Sequence, residues 1–338
     1  MNAIPQPREA SQTDDARTRP AARRVIATLV VPVLFVGVLV VLIARDHDRL
    51  NPLWHTDLQH LSALALLVLA GQFVNSMEFW LLYRARGIKV GLFENGNLFF
   101  ASQLGNYAPG QIGSLYRLRY MRDVHGVSYA ESVAVYGANF VATLGGASMT
   151  ALVGVLGVVL IGHHGLPLGL LLVILATIAA VVILATVPLP RFAARNGYVA
   201  RAWRAIHAGF EQVRRERSVG LVVVLLEVVK YALTAWRMLI AFELLDVHEP
   251  YWVFLVLAAA AGVAGFVSFT PGALGIRELF ITGSAAALGV GIDNGLFGAT
   301  IDRAVMLAAS IVVGGGAFVW AQRRLHVAQS SVSVVDAP

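Results

Sequence analysis

Pro109-Gly110-Gln111-Ile112-Gly113 returns, nearly half the chain later, as Pro271-Gly272-Ala273-Leu274-Gly275. Each copy follows a largely apolar stretch too short or too polar for an ordinary membrane span, and the segments at roughly 92–118 and 251–290 each hold the turn between two half-length helical stretches. Proline lacks a backbone N–H and glycine tolerates unusual dihedrals, so the pair suits a point where a helix breaks. A helix restarting after the break would aim free amides and a partial positive charge at the membrane interior, which favours an anion. The alternative is a purely structural turn whose freed backbone groups are met by neighbouring helices. One such turn per half predicts a duplicated, transporter-like fold whose broken helices meet near the bilayer midplane.

Composition agrees with a membrane setting. Of the 338 residues 57% are hydrophobic and only 14% charged, with a mean hydropathy of +0.70; soluble domains carry about 25% charged residues. The length suits about six to eight spans and leaves no room for a sizeable soluble domain. Without cysteine, disulfides and thiolate metal sites are excluded. The net charge of +6 rests on 24 Arg and 2 Lys spread through loops, a topology signal and not a nucleic-acid surface.

The reading is an all-α integral membrane protein with six full spans, at 25–44, 61–83, 129–161, 167–187, 219–241 and 300–320, plus two re-entrant Pro-Gly hairpins. Counting each hairpin as two spans gives eight or more. Gly145-Gly146 is a candidate kink in the third span. Residues 1–22 read as a disordered cytoplasmic tail, 23–165 as the first repeat, 166–325 as the second with a basic cytoplasmic loop at 188–218, and 326–338 as a disordered tail. With the N-terminus inside, Arg84, Arg86 and Lys89, then Arg117, Arg119 and Arg122, then the Arg-rich loop and finally Arg323-Arg324 all fall on the cytoplasmic side. The acidic Glu243, Asp246 and Glu249 fall outside. The two halves then run in opposite senses, an inverted-topology repeat in the plasma membrane with both termini cytoplasmic.

Intramembrane ionisable residues are the candidates for function. Glu227, Lys230, Thr234 and Arg237 form one stripe along the fifth span; Glu227 and Lys230 could equally neutralise each other as a buried pair. Span two adds Gln72, Asn75 and Glu78, the last close enough to the inner interface to snorkel. Arg117 follows the first turn, and Arg277-Glu278 the second. Adjacent helical residues do not face each other, so Arg277 and Glu278 need separate partners. Asp302 and Arg303 offer them as Arg277 with Asp302 and Glu278 with Arg303, a structural lattice, while a free guanidinium would hold a phosphate or carboxylate. The sequence shows no HExxH, GxSxG or GK[ST] signature, so neither enzyme activity nor a metal or cofactor is expected.

"NYAPGQIGSLYR" (Asn106–Arg117) and "SFTPGALGIRE" (Ser268–Glu278) resemble the transmembrane region of lysylphosphatidylglycerol synthases and the stand-alone proteins built from that region, over about residues 20–325. The resemblance implies a lipid flippase without lysyl transfer, because the soluble transferase domain is not in this chain. Its residues here are Pro109, Gly110, Gly113 and Arg117, and Pro271, Gly272, Gly275, Arg277 and Glu278. Ser114 stands where an acidic residue often follows the first turn. The expectation is a bacterial inner-membrane translocase that moves a phospholipid or lipid-linked headgroup. Arg117, Lys230 and Arg277 would attract the phosphate, with Glu227, Arg237, Glu278, Asp302 and Arg303 completing the site. The rival readings are a scaffold presenting a lipid-linked precursor to a partner glycosyltransferase or synthase, and an intramembrane enzyme using Glu227 or Glu278.

Overall fold

The computed structural model describes residues 57–107, 112–161 and 215–335 apart from 268 and 269, with isolated positions between 179 and 211. The tail 1–22, the expected spans 25–44 and 167–187, most of the 188–218 loop and Pro109-Gly110 lie outside the described residues. What is described is helical: α1 (Leu58–Ala85), α2 (Leu92–Asn106), α3 (Ile112–His125), α4 (Tyr129–Leu160), α5 (Arg217–Glu243), α6 (Tyr251–Val267), α7 (Ile276–Ala287) and α8 (Ile292–Val335).

Four of these, α1, α4, α5 and α8, are long and apolar enough to cross a membrane, and they coincide with expected spans two, three, five and six. The protein is a multi-pass, all-α membrane protein. Between the long helices lie the two Pro-Gly segments, each split into a pair of short helices. At 15, 14, 17 and 12 residues, and about 1.5 Å per residue, none of α2, α3, α6 and α7 can span a hydrocarbon core of about 30 Å.

Local chemistry sets several boundaries. Ser128 caps α4 by accepting the Glu131 amide at 3.2 Å, while Glu131 accepts the Ser128 amide at 2.9 Å. Helix α4 runs unbroken through Gly145-Gly146, where a kink was expected. The missing side chain of Gly146 serves packing instead, since a Cβ there would lie 2.4 Å from the Glu227 Cβ of α5. Helix α8 continues to Val335, into the stretch read from sequence as a tail; no proline or glycine after Gly316 stops it.

Packing follows a regular scheme. Helix α1 lies along α5. The leading half of each hairpin packs on the last long helix of the other half: α2 on α8, and α6 on α4. Exchanging α1–α4 for α5–α8 carries α1–α2, α2–α3, α3–α4 and α1–α4 into α5–α6, α6–α7, α7–α8 and α5–α8, all of them observed contacts. Glycines permit the closest crossings. A Cβ on Gly154 of α4 would sit 2.8 Å from Val256 of α6, and one on Gly314 of α8 would sit 2.9 Å from the Phe100 carbonyl of α2. The hairpin tips meet: Tyr107, at the end of α2, lies so close to Gly272 that a Cβ on the glycine would be 2.5 Å from its ring.

A cation-lined cavity between buried ion networks

The candidate residues fall into two buried networks and one isolated arginine. On α5, Lys230 reaches Glu227 at 2.6 Å and, across to α1, Glu78 at 3.3 Å. From α4, Asn139 donates to Glu78 at 3.0 Å and Thr143 to Glu227. Glu78 is fully buried, so it does not snorkel as the sequence suggested. Its place in the middle of the packed helices is set by Lys230, whose ammonium supplies the countercharge. This network holds two carboxylates and one ammonium.

The second network has the opposite surplus. Asp302 of α8 accepts from Arg237 of α5, and from Arg277 of α7 at 2.6 Å. One residue along, Arg303 donates to Glu278 at 2.7 Å and to the Gly272 carbonyl at 2.9 Å. The lattice expected for Arg277, Glu278, Asp302 and Arg303 is therefore present, and it fixes the second turn. Gly272 and Gly275 adopt φ of 58° and 82°, a left-handed region open to glycine. Glu278 then reaches back to accept the Gly275 amide at 2.8 Å. Arg237, grouped with Glu227 and Lys230 on one stripe, belongs to this network instead.

Arg117 stands apart. It was expected near the cytoplasmic loop, yet it is only 1% exposed, whereas Arg119 and Arg122 on the same helix are exposed. Its Nη2 donates to Asn95 at 2.8 Å, and Asn95 in turn donates to the Ser76 carbonyl at 2.7 Å. Its guanidinium stacks 3.9 Å from the Phe79 ring centroid, with the Tyr83, Phe99 and Tyr136 rings within 6.0 Å. Among the described residues no carboxylate pairs with it. Close approach of α2 and α3 places it there: a Cβ on Gly113 would overlap the Ser102 carbonyl.

Between these groups lies a cavity of about 380 Å³, with Arg117, Lys230, Arg277 and Arg303 in its wall and, among the described residues, no Asp or Glu. A second hollow of about 200 Å³ shares Asn75, Lys230, Arg277 and Met306 with it, adding Gln72 and Arg237. Two guanidinium donors in these walls, Nε of Arg117 and Nη1 of Arg277, are buried with no hydrogen-bond partner among the described residues, as is the amide oxygen of Asn75. An unmet buried donor costs about 1–3 kcal/mol, more when charged, so these two arginines of the wall keep donor capacity for an acceptor, while Asn75 keeps capacity for a donor. Among the described residues no three His, Asp or Glu form a metal-ligand set.

Sequence reasoning missed Asn95, Asn139 and Thr143, and misplaced Glu78. The available signal was a polar residue within an otherwise apolar span, as at Asn139. No curated protein matches the chain. The family model for the lysylphosphatidylglycerol synthase TM region matches residues 20–314. The chain belongs to that family.

Proposed function

We propose that the protein is a membrane lipid translocase that passes a headgroup through the cavity while the acyl chains stay in the bilayer. The observation that carries this reading is the cation-lined cavity inside a multi-pass membrane protein, with cationic residues from both halves of the chain in its wall. Membership of the lysylphosphatidylglycerol synthase TM-region family supports a lipid-related role. The packing scheme, which survives exchange of α1–α4 for α5–α8, supports an inverted repeat. The short α2–α3 and α6–α7 pairs and their touching tips support re-entrant hairpins. Arg117, Lys230 and Arg277 attract the phosphate, and Glu78 and Glu227 exchange Lys230 between themselves and the headgroup. The basic segments orient the chain with both termini cytoplasmic, in a bacterial inner membrane.

Leaflet exchange of fluorescent phosphatidylglycerol in proteoliposomes tests the proposal. Exchange by the wild type that falls on Arg277→Ala and Lys230→Ala, at matched reconstitution, is the expected result. Folded protein that binds the lipid without exchanging it would replace the translocase with a scaffold presenting lipid to a partner enzyme.

A further inference from the structure

We infer that the cavity selects a phosphate headgroup that carries no amine, and that it discriminates against the aminoacylated lipid in the family's name. The inference rests on the translocase reading for its lipid ligand, but not for its chemistry. Charge balance favours an anion. Arg117, Lys230, Arg237, Arg277 and Arg303 face four buried carboxylates, Glu78, Glu227, Glu278 and Asp302, leaving one positive charge over. A buried unbalanced charge is costly, and one phosphodiester anion cancels it. A zwitterionic headgroup adds no net charge, and a lysyl ester adds another positive one.

The donor set agrees. Arg117 and Arg277, on helices from the two hairpins, both line the cavity and each keeps one unmet guanidinium donor, Nε and Nη1 respectively, and phosphate oxygens are acceptors only.

An ammonium finds a poorer receptor. Among the described residues no carboxylate lines either hollow, and each of the four buried ones is already bound to an Arg or Lys, which leaves an ammonium uncharged acceptors such as the Asn75 amide oxygen. The Phe79, Phe99 and Tyr136 rings, which could hold an ammonium by cation–π contact, already face the Arg117 guanidinium.

The test is lipid binding to the full chain in detergent, read as a Kd for dioleoyl phosphatidylglycerol, its lysyl ester, dioleoyl phosphatidylcholine and inorganic phosphate. Phosphatidylglycerol should bind at least roughly tenfold more tightly than the other three, the scale of one charge-assisted hydrogen bond. Arg117→Lys, which keeps the charge and removes Nε, should weaken phosphatidylglycerol several-fold. Equal or tighter binding of the lysyl ester overturns the inference, as does an Arg117→Lys protein of unaltered affinity for phosphatidylglycerol. Equal binding of inorganic phosphate overturns the lipid assignment. The lipid comparison is made on the wild type, so it stands even if a variant fails to fold. Leaflet exchange without this preference would sink the inference and leave the translocase standing, and the preference without exchange would do the reverse.

Discussion

Asp302→Asn should destabilise the protein more than Arg237→Met, although the arginine is the larger side chain and both are buried. Asp302 sits between Arg237 and Arg277 and is completely enclosed. With its charge removed, two guanidiniums remain in a low-dielectric site without a counterion, and breaking a buried pair in this way costs about 3–5 kcal/mol. Arg237→Met removes the surplus cation instead. Asp302 keeps Arg277 at 2.6 Å, the network becomes neutral, and the loss is a charged hydrogen-bond pair partly offset by an apolar replacement, about 1–2 kcal/mol. The gap of about 2 kcal/mol is measurable by reversible unfolding in mixed micelles of dodecyl maltoside and SDS. The Lys230 network has the opposite surplus and gives a mirror test, with Lys230→Met costing more than Glu78→Gln. If Arg237→Met proves as harmful as Asp302→Asn, net charge does not govern these networks and the argument fails.

Four further substitutions probe the scaffold by thermal unfolding in detergent. Gly146→Val puts a side chain where even a Cβ would lie 2.4 Å from Glu227, and overpacking should cost about 1–3 kcal/mol while disturbing Lys230 binding. Gly272→Ala combines a φ of 58° with a clash against the Tyr107 ring, and should lower stability by at least about 1 kcal/mol. Its neighbour gives the opposite sign: Ala273 has a φ of 59°, so Ala273→Gly should be neutral to stabilising by about 0.5–1 kcal/mol. Ser128→Ala removes the cap of α4 and should cost about 1 kcal/mol.

The chain's alternation of long spans and short broken helices was legible because two physical signals coincided. Proline-glycine marks where helix hydrogen bonding stops, and the apolar runs give the lengths. The Arg277–Asp302 and Glu278–Arg303 pairs were legible for a similar reason: adjacent residues on one helix project in different directions, so each needs its own partner. Glu78 was not, because hydropathy places it only along its helix, near the end of an apolar run. Its burial depends on which face α1 turns toward α5, a tertiary choice made by Lys230 far away in sequence. Arg117 was legible as a candidate cation but not as a buried one. Loop charge statistics treat every arginine near a span as solvated, whereas four aromatic rings contributed by α1, α2 and α4 enclose this one.

Holding the helices together with ions instead of a wholly apolar core also bears on how such a molecule could move. A buried ion pair contributes little net stability over well-packed apolar residues, but separating it without replacement is expensive. Helices joined through Glu78–Lys230 and Asp302–Arg277 are therefore locked only while no other anion is available. A phosphate in the cavity offers Lys230 and Arg277 a substitute partner at the place where both already line the wall. The cost of releasing the carboxylates then falls when substrate is present and stays high when it is not. In the proposed translocase, the pairs that join the helices would make their separation depend on the headgroup. Glu78→Gln, which loosens one lock without touching Arg117 or Arg277, should raise leaflet exchange at low lipid concentration more than at saturation; an equal change at both would refute the coupling.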